Sequence, residues 1–306
     1  MRFKISVLVL SSLLLFIIGC GGKEINTSGK LRVVATTGMI GDAVLNIAKD
    51  KVELTTLMGP GVDPHLYKTT KGDLDLLHNA DIVFYNGLHL EAKMAEILQK
   101  MGASKTTIAV GEGIEDSLLH FPEQFEGFPD PHIWFDIMLW TQAVEQVSNV
   151  IQEKDSINAD FYKKNAALYI DTLLELHKNV KEQINQIPKE QRVLITAHDA
   201  FGYFGDAYDI EVKGLQGIST VTEAGLHDVT QMVDMLVNRN IKAVFVESSV
   251  SQKAINSVVE GCKSRDHQII IGGELFSDAM GQPDSPEGTY LGMVRHNVEA
   301  IVSSLK

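Results

Sequence analysis

Cysteine is scarce in this chain, which has only two among its 306 residues, Cys20 and Cys262. A disulfide framework is therefore excluded, and without thiolate ligands copper(I) and iron–sulfur chemistry are disfavoured. Cys262 falls in a helical pattern over Gln252–Lys263, where a small buried apolar residue is expected. Any metal or cofactor chemistry must rest on other side chains.

Basic residues are also few: 27 Lys and Arg stand against 40 Asp and Glu, which gives a net charge of -13. A surface of this sign argues against nucleic-acid binding and attracts cations, although the acidic excess also serves simple solubility. The hydrophobic share of 44% and the charged share of 22% are ordinary for a globular chain with a substantial core. The length suits two domains.

Long apolar runs are missing except near the N-terminus, where Ile5–Ile18 follows two basic residues. This run is too short to span a bilayer but fits a signal peptide over residues 1–19, so we expect export. Its end, Ile17–Cys20, resembles a bacterial lipobox, which predicts a lipid on Cys20 and a polar linker over residues 20–30. The protein would then be tethered to the membrane on its extracytoplasmic side, in the periplasm or at the cell surface. The alternative is an ordinary secretory peptide with an incidental cysteine.

Short β-branched runs alternate with amphipathic helical patterns in both halves of the chain, as is typical of α/β architecture. The runs are Leu31–Thr37, Val52–Leu57, Asp81–Asn86 and Thr107–Val110 in the first half and Arg192–Thr196, Glu211–Leu215, Ala243–Glu247 and Gln268–Ile271 in the second. Two of the helical patterns in the second half are Leu226–Asn238 and Tyr290–Leu305. The chain therefore predicts two α/β lobes, over residues 31–157 and 188–306.

Residues 158–187 contain neither Pro nor Gly and carry apolar residues among their positions, which predicts one long helix between the lobes. Pro188 closes this helix, because proline cannot continue the hydrogen-bond ladder. No low-complexity linker interrupts the stretch. We therefore expect a monomer whose lobes are joined by a stiff rod, without a large hinge closure.

Two Asp-Pro-His tripeptides, Asp63–His65 and Asp130–His132, each follow a Gly/Pro-rich stretch that is typical of a loop. Proline restricts the residue before it, so each loop presents its imidazole rigidly, as a metal ligand requires. His198 and Asp278 come after strands of the second half. Because ligands of open α/β sheets bind at the carboxyl ends of strands, we expect these side chains to meet in a cleft between the lobes.

The four candidates, His65, His132, His198 and Asp278, offer three neutral imidazoles and one carboxylate. Such a set suits zinc, and it also serves manganese when carboxylate oxygen and extra coordination are available. The other seven histidines lie mostly in polar helical or turn-like stretches, where a surface position or a satisfied core position is expected.

Four acidic residues lie near the candidate ligands in the sequence or at a strand end, and they are considered as groups that support the ligands. Glu247 ends a very apolar strand and is expected to join the shell of the metal or to orient a ligand histidine. Asp63, Asp130 and Asp199 are sequence neighbours of the candidate histidines. Each either orients an imidazole or caps a turn, and the sequence leaves both possibilities open.

Four separated motifs carry a family resemblance, and they are Gly59–Tyr67, Asp130–Asp136, Thr196–Phe204 and Gly273–Gly281. In these motifs the chain resembles the metal-binding solute proteins of bacterial ABC importers, and most closely the TroA type. The resemblance extends from about Lys30 to Lys306. It implies two lobes, each with a four-stranded parallel sheet flanked by helices, bridged by one helix.

The resemblance also implies that His65, His132, His198 and Asp278 coordinate the transported ion and that an ABC permease receives it, with no reaction catalysed. Manganese-selective relatives often carry Glu where His198 stands, so the third imidazole favours zinc. Many zinc-dedicated relatives have a His-rich loop before the second ligand, whereas residues 113–131 contain only His120 outside the ligand motif. Binding of both Zn²⁺ and Mn²⁺ therefore stays open.

Two other functions compete with transport. A surface metallohydrolase would use three protein ligands and an open water position, but four candidate ligands can close the shell, and a His-Glu-x-x-His motif is absent. An adhesin-like lipoprotein for cell adhesion would hold its metal for structure alone. A removable metal and a stable metal-free fold would favour transport.

Overall fold

The computed structural model describes residues 29–125 and 127–306. The predicted signal peptide over residues 1–19 and the predicted lipidation of Cys20 lie outside these residues. Within the described part, no helix combines the length and the apolar character needed to cross a membrane. Strands and helices alternate along the chain, and the α/β class is confirmed.

Four parallel strands form the sheet of the N-terminal lobe. They are β1 (Leu31–Ala35), β2 (Val52–Thr56), β3 (Ile82–Tyr85) and β4 (Thr106–Ala109). The order across the sheet is β2-β1-β3-β4, so that Val33 pairs with Leu54 on one side and with Ile82 on the other. Central parallel strands are covered on both faces, which is why β1 and β3 are nearly continuous apolar runs.

The helices of this lobe are α1 (Gly38–Ala48), α2 (Lys71–Asn79), α3 (Ala95–Gly102) and α4 (Ile137–Lys154). Two of these four, α2 and α4, begin at a side-chain cap. Thr70 precedes α2 and exchanges hydrogen bonds with Asp73 in a capping box. The Asp136 carboxylate accepts the backbone N–H of Met138 at 2.8 Å and so starts α4. This cap fixes the point at which the chain leaves the His132 loop.

The C-terminal lobe contains the four predicted strands, arranged as two parallel pairs. They are β5 (Val193–His198), β6 (Glu211–Gln216), β7 (Ala243–Glu247) and β8 (Ile270–Leu275). The ladders join β5 with β6 and β7 with β8, while β5 and β7 lie side by side. At the end of this seam the backbone N–H of His198 donates to the Glu247 side chain at 2.9 Å. The Glu247 carboxylate thus accepts the His198 backbone N–H, which in an ordinary β-ladder would be bonded to a backbone carbonyl of the neighbouring strand.

Most strand ends differ from the sequence prediction by one or two residues, and the largest difference is at the end of β8. His198 is the last residue of β5, not a residue two positions beyond it. Strand β8 continues through Gly272 and Gly273, beyond the predicted end at Ile271. A side-chain carbon on Gly272 would lie only 2.8 Å from the ring of Phe245 and from Ser304, so this glycine permits close packing and is not a chain breaker.

The helices of the C-terminal lobe are α6 (Gly202–Tyr208), α7 (Leu226–Asn238), α8 (Lys253–Lys263) and α9 (Tyr290–Leu305), counted after the connecting helix α5 (Ala159–Ile184). The bounds of α7 and α9 are those expected from the sequence. Cys262 is buried in α8 with a free thiol, as its helical position suggested.

The connecting helix α5 spans 26 residues and ends before Pro188. Seven buried residues recur along it every three or four positions, and they are Tyr162, Ala166, Tyr169, Leu173, Leu176, Val180 and Ile184. This face packs against α1 and α4 of the first lobe and α9 of the second. The Tyr169 hydroxyl also donates to the buried Asp42 carboxylate of α1 at 2.7 Å.

One hydrophobic core runs through both lobes at α5. It includes Val33 and Trp140 from the first lobe, Leu173 from the connecting helix, and Leu194 and Ile301 from the second lobe. Close-packed interiors resist small displacements because contacts are lost outright when gaps open. The relative position of the two lobes is therefore fixed by packing as well as by covalent connection.

Truncation of the connecting helix should show how much this shared core contributes. We expect Leu173→Ala to lower the free energy of unfolding by about 2–5 kcal/mol, because the lost side chain is fully buried and leaves a cavity. Leu168→Ala, in the same helix at 56% exposure, should change it by only about 0.5 kcal/mol or less. Urea denaturation of both variants measures the difference, and equal losses would contradict a core at α5.

Candidate metal centre

Four side chains from separate segments meet between the lobes. His65 lies in the loop after β2, His132 precedes a short 3₁₀ helix at Ile133–Phe135, His198 ends β5, and Asp278 follows β8. One potential ligand atom from each of them lies within 4.8 Å of those of the other three. All four residues are buried, with at most 2% exposure. The sequence had predicted that these four would converge, and they do.

The distances between these atoms are those of a small coordination polyhedron. His65 Nε2 lies 3.4 Å from His132 Nε2, and the two oxygens of Asp278 lie 3.3 Å from His132 Nε2 and from His198 Nε2. A tetrahedron with metal–ligand bonds of about 2.0–2.1 Å has edges of about 3.3–3.4 Å. Each of these three contacts is therefore short enough for its two atoms to bind the same cation.

Several of these atoms are buried without a hydrogen-bond partner. Within the described residues, His198 Nε2 and both carboxylate oxygens of Asp278 have none. Buried polar atoms without hydrogen-bond partners are costly and rare in folded proteins. A divalent cation at the centre of the group would satisfy all three at once, so the donor set fits a metal.

Two of the imidazoles are oriented by carboxylates behind them. The ring Nδ1–H of His132 donates to Asp130 at 2.7 Å, and that of His198 donates to Glu247 at 2.5 Å. Each carboxylate also accepts the backbone N–H of the same histidine, at 2.9 Å. Both bonds fix the tautomer and turn Nε2 toward the centre. Asp130 therefore both orients an imidazole and shapes a turn.

The other two acidic neighbours do not contact an imidazole ring. Asp63 accepts the backbone N–H of His65 at 2.8 Å, which is a turn contact. The Asp199 side chain makes no hydrogen bond to a candidate histidine within the described residues, and burial raises its pKa. Of the three aspartates, Asp130 orients an imidazole, Asp63 makes only a turn contact with its histidine, and Asp199 does neither for a candidate histidine within the described residues.

The three histidines differ in pKa because they differ in the charges around them. Burial lowers the pKa of His65 to about 3, although the Asp278 charge opposes the effect. Burial also acts against protonation of His132, but Asp130 and Asp278 outweigh it and raise its pKa to about 9. In the same way Glu247 and Asp278 outweigh burial and hold the pKa of His198 well above its usual range.

The Asp278 carboxylate is the complementary charge. Burial alone would raise its pKa, but His198 and His132 hold the pKa of Asp278 well below its usual range. In the metal-free protein near neutral pH, two imidazolium rings thus face one carboxylate. A metal that binds here must displace protons from His132 and His198.

A buried network that the sequence did not reveal supports the His132 loop. Glu91 is 3% exposed and accepts hydrogen bonds from the Thr36 hydroxyl at 2.7 Å and the Asn86 backbone at 2.8 Å. The Asn86 side chain then donates to the carbonyl of Pro131 at 3.0 Å. The sequence signal was the single polar side chain of Asn86 at the end of an apolar strand.

Trp134 links the two halves of the site. Its ring lies against His132 at 5.2 Å between centroids, and its Nε1–H donates to the carbonyl of Ser277 at 3.0 Å. The Tyr290 hydroxyl donates to the Trp134 carbonyl at 2.6 Å. The aromatic residue beside His132 therefore has a bridging role, and it holds the segment before Asp278 in place.

The remaining histidines lie elsewhere, and no second cluster of potential metal ligands occurs within residues 29–125 and 127–306. His89 is exposed and stacks on Phe128 at 4.0 Å between ring centroids. His120 stacks on Tyr203 and contacts Asp206. Both positions are surface positions of the kind that the sequence suggested.

Comparison with known proteins shows that this chain is similar to several metal-binding proteins. Residues 33–304 match the family model of ZnuA, described as zinc-uptake complex component A, periplasmic. The chain is 50% identical over 290 residues to the manganese-binding lipoprotein MntA of Bacillus subtilis (strain 168), with 94% of each chain covered. It is 45% identical over 304 residues to the zinc-binding protein TroA of Treponema pallidum (strain Nichols), which covers 99% of this chain and 98% of TroA.

A solved structure agrees with the sequence matches. The periplasmic zinc-binding protein TroA from Treponema pallidum superposes with a TM-score of 0.89 at 46% identity. The match covers 90% of this chain and 99% of that one. The two-lobe fold predicted from the sequence is confirmed.

Proton displacement gives the site a measurable signature. At pH 7.5 we expect Zn²⁺ binding to release about one to two protons, because the pKa values of His132 and His198 are raised and both rings must be neutral to coordinate. The apparent affinity should therefore fall steadily as the pH is lowered from about 9. Titration calorimetry in buffers of different ionisation enthalpy counts the protons.

The Asp130→Asn variant is the control for this measurement. It keeps an acceptor for His132 but loses the charge that raises the pKa, so fewer protons should be released. Release near zero in the parent protein, or an unchanged count in the variant, would contradict the charge arrangement described above.

Proposed function

We propose, on the premise that the chain belongs to the family of zinc-uptake complex component A, that it is an extracytoplasmic solute-binding lipoprotein for a divalent transition metal. It captures Zn²⁺ or Mn²⁺ between its lobes and delivers the ion to an ABC permease. The lobes comprise residues 31–157 and 188–306, on either side of a connecting segment over residues 158–187.

The observation that carries this proposal is the buried cluster of His65, His132, His198 and Asp278. Its ligand atoms lie within 4.8 Å of one another, and three of the inward-facing atoms, His198 Nε2 and both oxygens of Asp278, have no hydrogen-bond partner among the described residues. We assign these four residues as the metal ligands. We assign Glu247 and Asp130 as the carboxylates that orient His198 and His132.

The geometry of this site supports metal binding better than it supports catalysis. A catalytic zinc keeps one position open for water, whereas four converging protein side chains can fill the shell. The ligands are at most 2% exposed, so a substrate would have to displace protein atoms to reach the ion. We therefore propose a transport protein that performs no reaction, and the metallohydrolase is disfavoured.

The choice between the two ions follows from donor chemistry. Three imidazoles favour zinc, while Asp278 turns both of its oxygens inward and can contribute a second one to an ion that prefers higher coordination, such as manganese. One relative is named for manganese binding and another for zinc binding. We propose that this site accepts both ions.

Removal of single ligands tests the assignment. We expect His65→Ala, His132→Ala, His198→Ala and Asp278→Ala each to weaken binding of Zn²⁺ and Mn²⁺ by more than about 100-fold, since direct ligands matter more than the groups that orient them. His89→Ala is the matched control, because His89 is exposed. Competition titration against a chelator of known affinity measures the change.

Two results would contradict the assignment. One is parental affinity in a ligand variant, and the other is an equal loss in His89→Ala. Thermal unfolding of the same panel addresses the adhesin-like alternative with a structural metal. If the metal-free protein is unfolded, the ion serves the fold; if it stays folded, the ion is cargo.

We also propose that the protein is anchored through a lipid on Cys20, since the apolar run before it ends in a sequence that resembles a lipobox. In Cys20→Ala, incorporation of labelled fatty acid should be lost and the protein should leave the membrane fraction. Cys262→Ala should keep both properties, because Cys262 is buried in the fold. A Cys20→Ala protein that still carries the label would refute the anchor.

A further inference from the structure

The three candidate histidines are held in different ways. His132 and His198 each have a carboxylate on ring Nδ1, from Asp130 and Glu247. No carboxylate of the described residues is bonded to the ring Nδ1 of His65, and the Asp63 contact reaches its backbone N–H instead. The position of the His65 ring therefore depends on the position of its loop.

This loop is held by the opposite lobe. Asp63 uses one oxygen for the His65 backbone and the other for the hydroxyl of Thr220, which donates at 2.6 Å. Thr220 lies in the segment between β6 and α7 of the C-terminal lobe and is only 6% exposed. One carboxylate thus connects a candidate ligand of the N-terminal lobe to a hydroxyl of the C-terminal lobe.

A second close approach occurs in the same loop. Gly61 has φ of +71°, and a side-chain carbon there would lie 3.5 Å from the carbonyl of Ser248. Ser248 directly follows Glu247, which orients His198. The His65 loop therefore runs close to the C-terminal lobe, and the Thr220 hydroxyl donates a side-chain hydrogen bond that joins the two.

We propose that Thr220 is a positioning residue that holds His65 in place through Asp63 and so sets the rate at which the ion leaves. The inference rests on the proposed function, since it concerns release of the bound metal. Loss of the hydroxyl leaves one oxygen of Asp63 without its partner and loosens the loop. The other three ligands keep their own supports, so His65 becomes the weak point of the shell.

Substitution at Thr220 gives a direct test. Thr220→Val keeps the shape and removes the hydroxyl, and we expect Zn²⁺ to dissociate about 10- to 100-fold faster from it, the range for loss of a group that orients a ligand. Thr220→Ser restores the hydroxyl and should release Zn²⁺ within about threefold of the parent rate. Thr222→Val, an exposed position of the same segment, is the matched control and should behave like the parent. Stopped-flow transfer of Zn²⁺ to an excess of a chelating dye measures the rates.

A double-mutant cycle separates positioning from general stability. If Thr220 acts through Asp63, Thr220→Val should have little further effect on the rate in an Asp63→Ala background. Thermal unfolding of the metal-free Thr220→Val protein should match that of the parent, because the hydrogen bond positions a loop and does not form part of a core.

The outcomes distinguish this inference from the function on which it rests. If the parent binds neither Zn²⁺ nor Mn²⁺, the proposed function fails and this inference fails with it. If the parent binds and the ligand variants weaken binding, but Thr220→Val releases Zn²⁺ at the parental rate, only this inference is overturned. Fold-changes in rate that simply multiply in the double-mutant cycle, or a Thr220→Ser protein as fast as Thr220→Val, would also overturn it.

Discussion

The structure is organised around one electrostatic constraint, the burial of the Asp278 carboxylate among three imidazoles. A charge removed from water needs opposite charge or hydrogen bonds close by. His132 and His198 supply that charge, and they do so because Asp130 and Glu247 lie behind them and raise their pKa values. The metal-free centre is thus an ordered chain of alternating charges, and a divalent ion can take the place of the protons without rearranging its outer members.

The supports of this centre belong to the fold as a whole. The carboxylate of Glu247 bridges β7 and β5 where the strand ladder is interrupted, and Trp134 joins the His132 segment to the carbonyl before Asp278. The shared core at α5 fixes the two lobes to each other. His132 of the first lobe and Asp278 of the second can keep their spacing of 3.3 Å only if neither lobe moves independently.

The sequence was sufficient for the parts of the site that depend on local chemistry. The Asp-Pro-His tripeptides marked His65 and His132 because proline makes a loop rigid, and strand ends marked His198 and Asp278. It could not identify Glu91 or Thr220, since each acts through a contact with a residue distant along the chain: 55 positions from Glu91 to Thr36, and 157 from Thr220 to Asp63. The glycines of β8 were misread for the same reason, because only the packed ring of Phe245 explains why Gly272 is needed.

The wide separation of the four side chains along the chain has a consequence for when the site exists. His65 and His132 are 67 positions apart, and the other two come from the opposite lobe. Preformed metal sites rarely survive in unfolded chains. An unfolded chain therefore offers cations only scattered single side chains, and the ion that is finally held is selected after folding, in the compartment where the chain folds.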